Sequence, residues 1–295
     1  MILVDYSGIA MGALFARGGG QEEGLLRHQI LNSLRMYNVR YREEYGRMIV
    51  CADGGSWRKD YYPEYKAGRK ENREKDTKDW GSIFETFTKV REEISEFLPF
   101  DVIHEYGVEA DDIIATLVKE TQEFGKDEPI MIISSDKDFI QLHRYSNVKQ
   151  YSPITRKMVT HDDPVKYLRE HIFRGDSSDG VPNVLSDDDT FINEDKKQTP
   201  LSQKKVDSWI ENIGNLQDVM PTQAFRNYQR NNKVINLDNI PEEINKQILD
   251  NYNSIKQTPN MKTLNYLITN KLKNLIESVG DFHRPWVKKF QIYYN

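Results

Sequence analysis

The chain has 295 residues, 38% hydrophobic and 29% charged, with 16 Tyr and 12 Phe, enough core for a large α/β domain with a smaller helical partner. Its net charge is −5, its only cysteine is Cys51, and no apolar run approaches bilayer length, which excludes an intrachain disulfide, a thiolate zinc site and a membrane-spanning helix. The N-terminus carries no basic leader, so a cytoplasmic protein is expected.

In chain order, Ile2 to Val4, Met48 to Ala52, Val102 to Ile103 and Ile130 to Ile133 read as buried strands. Amphipathic stretches lie between them, such as the one placing Ile83, Phe84, Phe87, Val90, Ile94 and Phe97 on one face. Strand-helix alternation predicts an α/β fold, a mostly parallel central sheet flanked by helices. From about Asp162 helical periodicity takes over, as in Val165, Leu168 and Ile172 and later Leu264, Leu267, Ile268, Leu272, Leu275 and Ile276, so a helical C-terminal region follows. The polar, acidic stretch Asp187 to Pro200 reads as a loop.

In such sheets ligands bind at the carboxyl ends of the strands. Asp5 follows the first strand, Asp53 the second, and Asp136 and Asp138 follow Ile130 to Ser135. Glu109, Asp111 and Asp112 open a helix, where the dipole favours negative charge. Asp176 and Asp179 stand in Gly175-Asp176-Ser177-Ser178-Asp179 after another helix. Taken singly, each acid has an ordinary reading as a cap or turn residue. Independent caps, however, have no reason to fall at one edge of one sheet. Carboxylates so crowded repel and take up protons unless cations lie between them. With no Cys or His in these motifs the donors are all oxygen, which favours Mg2+ or Mn2+ over zinc. Two such ions suit phosphodiester hydrolysis. The negative net charge does not exclude a nucleic-acid partner, because bound cations make the loaded protein more positive than its formal count.

Residues 56–78 carry eight Lys or Arg against five acids, with Trp57, Tyr61, Tyr62 and Tyr65 interleaved. A mixed charge run is ordinarily a solvated helix. Directly after Asp53, however, it would overhang the carboxylates, and cations alternating with aromatics suit a single nucleic-acid strand. Arg58, Lys59, Tyr65, Lys66, Arg69 and Lys70 are the candidate contacts.

The order of Asp5, Asp53, Tyr65-Lys66-Ala67-Gly68-Arg69, Glu109-Ala110-Asp111-Asp112, Ser134-Ser135-Asp136-Lys137-Asp138 and Gly175-Asp176-Ser177-Ser178-Asp179 resembles the flap endonuclease family of 5′-nucleases, over roughly residues 1–185. Within that family it is similar to the T-even phage ribonucleases H. The resemblance implies a PIN-like catalytic domain over residues 1–180, with the arch segment 56–78, and a helical domain over 181–295. It implies one metal ion at Asp5, Asp53, Glu109, Asp111 and Asp136 with Asp112 beside them, and a second at Asp138, Asp176 and Asp179. Lys66 and Arg69 match arch residues that act on the scissile phosphate, with Asp111 and Asp136 as catalytic metal ligands. The implied activity is 5′ to 3′ exonuclease, flap endonuclease and ribonuclease H action on DNA and RNA:DNA hybrids during phage replication. Implied partners are a phage single-stranded-DNA-binding protein and a sliding clamp. A monomer with no membrane partner is expected, in the cytoplasm of an infected bacterium.

Gly180-Val181-Pro182 matches the family, but Asn183 to Asp189 lacks the glycines and basic residues of its helix-hairpin-helix turn. This degenerate region leaves the usual potassium site and duplex grip without their residues, and Lys204, Lys205 and the C-terminal helices are the remaining candidates for holding duplex. The tail Arg284 to Phe290 is a candidate partner contact, with packing of its aromatics back onto the domain as the more ordinary reading. A non-catalytic DNA-binding accessory with the same fold would not need every acid. A Mg2+-dependent phosphatase would not need the arch cations and would form a phosphoaspartate.

Overall fold

The computed structural model describes residues 1–16, 20–122, 126–255 and 260–283. The four apolar runs form strands β1 (Ile2–Asp5), β2 (Met48–Ala52), β3 (Asp101–His104) and β4 (Ile130–Ile133). They continue into β5 (Val148–Ser152) and β6 (Lys157–Val159), which the sequence reading did not anticipate. The sheet order is β3-β2-β1-β4-β5-β6, with only β6 antiparallel to its neighbour. Gln150 explains why β5 escaped notice: it is polar yet fully buried, its amide donating to the carbonyl oxygens of Ser134 and Asp136 at 3.0 and 2.6 Å.

Because side chains alternate across a strand, each apolar run feeds two cores. Ile2, Val4, Met48, Val50, Met131 and Ile133 face helices α1 (Tyr6–Leu14), α2 (Glu23–Tyr45) and, beyond the short α3 (Arg58–Tyr61) and α4 (Gly68–Glu74), α5 (Trp80–Phe97). Leu3, Ile49, Cys51, Ile130 and Ile132 face α6 (Ala110–Gln122) and the 3-10 turn Asp138–Arg144.

Helix α7 (Pro164–Arg174) leads into the helical region: α8 (Gln203–Glu211), α9 (Leu216–Val219), α10 (Thr222–Ile235), α11 (Glu242–Ser254), α12 (Asn260–Thr269) and α13 (Lys273–Ile276). Tyr266, Leu267, Leu272, Leu275 and Phe282 complete the first core, while Leu237, Ile240 and Ile248 complete the second. Phe173, Val184, Val206, Trp209 and Leu216 make a smaller cluster, and Tyr62, Tyr65, Ile172, Val181, Val234 and Ile235 join it to the post-β2 segment.

The Asp187 to Pro200 stretch contains no regular helix or strand and is tied down by ion pairs. Asp188 meets Arg226 at 2.6 Å and also pairs with Arg230, while Lys196 bridges Asp187 and Asp189 at 3.0 and 2.6 Å. Lys204 and Lys205 are exposed on α8. Residues Arg284 to Phe290 lie outside the described residues. Among the described residues no helix is long and apolar enough to cross a membrane.

Candidate active site

Strand order reverses at β1, with β2 on one side and β4 on the other, so the carboxyl ends of these strands open a crevice. Asp5 ends β1 and caps α1, accepting from Gly8 N at 3.0 Å and from Ser134 Oγ at 2.8 Å. Its ordinary role as a cap and its place in the crevice therefore coexist. Asp53, just past β2, accepts from Ala110 N at 2.9 Å and Ser7 Oγ at 2.5 Å, which ties it to the start of α6. Gly54 makes that approach possible: it exchanges backbone hydrogen bonds with Val108 and Gly107, and a Cβ there would lie 1.9 Å from the Glu105 carbonyl oxygen. Asp136 turns back after β4 to accept from Asp138 N at 2.9 Å.

Asp5, Asp53, Glu109, Asp111 and Asp136 thus line one cavity of about 310 Å³, together with Lys59, Lys66, Arg69 and Arg73. Crowding shows in their proton affinities. Burial, then Asp53 and Asp136, push Asp5 up to about 6, against the hydrogen bonds it accepts. Burial and Asp136 push Asp111 well above the carboxylate range, and burial with Asp136 lifts Asp138 to about 8. Burial opposes ionisation of Glu109 too, but Lys66 and Arg58 hold its carboxyl below the usual value. Lys66 and Arg58 therefore satisfy Glu109, while Asp5, Asp111 and Asp138 stay short of positive charge. The cavity of Asp5, Asp53, Glu109, Asp111 and Asp136, all oxygen donors, fits divalent cations in that state.

The post-β2 segment divides into an inward and an outward half. Arg58, expected on nucleic acid, is buried: its guanidinium meets Glu109 at 2.6 Å and Asp112 at 2.8 Å, and Nε donates to the Val234 carbonyl at 2.7 Å. Asp112, expected beside the metal, is correspondingly sealed in, accepting from Trp57 Nε1 at 3.1 Å and from Glu109 N at 3.1 Å. Tyr65 also points inward and is buried, its hydroxyl donating to Asp179 at 2.7 Å, so it is not a surface for stacking bases. These three side chains form the floor of the site. Buried charge needs partners, and Arg58 supplies them to two acids at once.

Lys66 faces the cavity, with Nζ 2.5 Å from Glu109 and 3.4 Å from Asp179. Its backbone takes φ +57°, sparsely populated for a residue with a Cβ, and is held by the bond from its N–H to the Asp179 carbonyl at 2.8 Å. Arg69 pairs with Asp179. Arg73, one turn further along α4, joins it on the same face; that i, i+4 repeat was the signal for a residue the sequence reading overlooked. Lys59 is exposed at the rim, and the side chain of Lys70 lies outside the described residues.

Asp138 and Asp176 come together in a second cluster, joined not by Asp179 but by His171, which sequence reasoning missed. His171 Nε2 lies 3.6 Å from Asp138 and 3.4 Å from Asp176. One imidazole on an amphipathic helix gives no spacing signal. Asp179 instead turns to Tyr65, Lys66 and Arg69.

Comparison with known families places the chain as a whole. Residues 1–170 match the model for the 5′-3′ exonuclease N-terminal resolvase-like domain, and residues 166–282 match that for the C-terminal part of T4 RNase H. Ribonuclease H of Enterobacteria phage T4 is 34% identical over 292 residues, covering 95% of both chains. This chain belongs to the 5′-3′ exonuclease family. It is a nuclease, a hydrolase of phosphodiester bonds. DNA polymerase I of Rhizobium leguminosarum is 35% identical to this 5′-nuclease over 165 residues, spanning 53% of this chain and 15% of the polymerase. Among solved structures, the zinc-bound bacteriophage T5 5′-exonuclease superposes with TM-score 0.62 at 20% identity, covering 86% of this chain and 98% of that one. The T5 flap endonuclease with DNA and metal ions gives 0.59 at 20% identity, over 86% and 99%. These structural likenesses establish a shared fold.

Proposed function

We propose that this 5′-nuclease removes RNA primers and adjacent DNA during phage replication, cutting from the 5′ ends of hybrids, duplexes, nicks and flaps with two Mg2+ ions, for which Mn2+ can substitute. The observation that carries the reading is the convergence of Asp5, Asp53, Glu109, Asp111 and Asp136 in one cavity rimmed by Lys59, Lys66, Arg69 and Arg73. Asp5, Asp53, Glu109, Asp111 and Asp136 would hold one ion, and Asp138 and Asp176 would contribute to the other. When bound, such ions activate water and stabilise the leaving oxygen of a phosphodiester.

The protein's own groups do the rest. Lys66 and Arg69 bring positive charge to the scissile phosphate, which competes for them with Glu109 and Asp179. Lys59 and Arg73 extend that charge along the strand. Arg58 keeps Glu109 aimed into the cavity from below. Attack by water leaves a 5′-phosphate. We place the enzyme as a monomer in the cytoplasm of the infected host, recruited by a single-stranded-DNA-binding protein or a sliding clamp, with downstream duplex held by Lys204, Lys205 or the C-terminal helices.

The test is digestion of 5′-labelled RNA:DNA hybrid, nicked duplex and flap substrates with Mg2+ and with chelator. Release of 5′-terminal products with Mg2+ and none with chelator is expected. Cutting that persists in chelator would reject the metal mechanism.

A further inference from the structure

Granted the two-ion reading above, we propose that His171 is a direct nitrogen ligand of the second divalent ion, forming with Asp138 and Asp176 a mixed imidazole-carboxylate site.

Of the three carboxylates that family likeness implies for this ion, Asp138 and Asp176 lie together with His171. Asp179, the third carboxylate expected there, is engaged by the Tyr65 hydroxyl at 2.7 Å, by Lys66 at 3.4 Å and by Arg69. One donor atom each from Asp138, His171 and Asp176 lies within 4.8 Å of the others.

The two distances from His171 match those between ligands of one cation. His171 Nε2 is buried without a hydrogen-bond partner, 3.6 Å from Asp138 Oδ1 and 3.4 Å from Asp176 Oδ2. Hydrogen bonds from nitrogen to oxygen close to about 2.7–3.2 Å, so neither contact is one. Donors bound to a cation at about 2.0–2.1 Å in tetrahedral geometry sit about 3.4 Å apart.

The three groups are also held in place. Asp176 Oδ1 accepts from Ser178 N at 2.7 Å and Ser178 Oγ at 2.6 Å, which leaves Oδ2 toward the imidazole. Its backbone exchanges hydrogen bonds with Val181 at 2.8 and 2.7 Å, and the Gly175 N–H closes α7 on the His171 carbonyl at 2.8 Å. Gly175 takes φ +70°, and a Cβ there would meet the Val181 carbonyl oxygen at 2.3 Å, so glycine is what lets the chain turn from His171 into Asp176. Asp138 is fixed by its N–H on Asp136 Oδ1 at 2.9 Å. Imidazole in place of a carboxylate moves preference from Mg2+ toward Mn2+, Co2+ and Zn2+.

The alternative, an imidazolium merely ion-paired with the two acids, is separated by Mn2+ binding to the intact protein, followed by pulsed electron paramagnetic resonance. Two bound Mn2+ per chain, one with the hyperfine coupling of a directly bonded imidazole nitrogen, are expected. His171→Gln should lose that coupling and weaken one site by about 10-fold or more, since even groups behind a ligand are worth about 10–100-fold. Two bound ions without nitrogen coupling in the unaltered protein would overturn the His171 assignment alone. No bound ion at all would overturn the two-ion reading beneath it.

Discussion

At the scale of the residue, Arg58 joins three parts of the molecule with one guanidinium: Glu109 at the site, Asp112 inside α6 and the Val234 carbonyl of α10. Arg58→Ala would leave two buried acids without their counter-charge, so a loss of about 3–5 kcal/mol is expected, read from urea unfolding. Asp111→Asn should lower cleavage by more than about 100-fold, because losing a ligand exceeds losing a group behind one. Affinity for nucleic acid, measured by fluorescence anisotropy, should persist because the basic rim is intact; undiminished cutting would reject Asp111 as a ligand. Lys66→Ala should reduce kcat by about 100–1,000-fold with little change in KM. A change confined to KM would make Lys66 a binding group only.

At the scale of the element, the short loops matter more than the helices they precede. Gly54 lets the β2 loop lie against the β3–α6 loop, and a Cβ there meets Glu105 backbone at 1.9 Å. Gly54→Ala should therefore both destabilise the fold and weaken metal binding, whereas Gly12→Ala, with nothing within 4 Å of its added Cβ, should do neither. The C-terminal helices are structural partners of the sheet. Truncation after residue 236 would strip Leu237, Ile240, Ile248, Tyr266, Leu267, Leu272, Leu275 and Phe282 from the two cores, at roughly 1.5–3 kcal/mol each, and the remaining chain should fail to fold. A soluble truncated chain with a native circular dichroism spectrum would contradict that.

Legibility differed among elements for physical reasons. Strands β1, β2 and β4 are buried on both faces and write themselves as continuous apolar runs, which also located the acids beyond their ends, whereas β3 shows only Val102 and Ile103 between Asp101 and an exposed His104. Strand β5 hides because Gln150 buries an amide by hydrogen bonding rather than by being apolar. In the segment after β2, composition marked a basic, aromatic stretch near the site, but could not say that Arg58 and Tyr65 turn inward while Lys59 and Arg73 line the cavity. That division depends on α10, more than 150 residues later, supplying the Val234 carbonyl to Arg58, which is 176 residues away in sequence. Likewise nothing local to His171 announces Asp138 as its neighbour.

At the scale of the whole molecule, the acid cluster links stability to pH and to metal. Asp5 and Asp138 have folded-state values pushed up from 3.8 to about 6 and about 8, so the metal-free fold binds protons that the unfolded chain has released. The sign follows: stability of the metal-free protein falls as pH rises through this window, from about 4 to about 8. Asp238, held down at about 2 by Arg144, works in the opposite sense and loses its contribution only in stronger acid. Divalent ions should reverse the first trend, because their binding displaces the same protons and grows stronger toward higher pH. Melting temperatures from pH 5 to 8 in chelator should decline, and with saturating Mg2+ should hold level or rise; parallel curves would mean that the ions do not bind these carboxylates.

The most direct measurement is anomalous scattering from crystals soaked in Mn2+. Strong peaks bounded by Asp5, Asp53, Asp111 and Asp136 and, separately, by Asp138, His171 and Asp176 are predicted. An ion-free cavity at saturating Mn2+, with Lys66 still paired to Glu109, would contradict the account at its root.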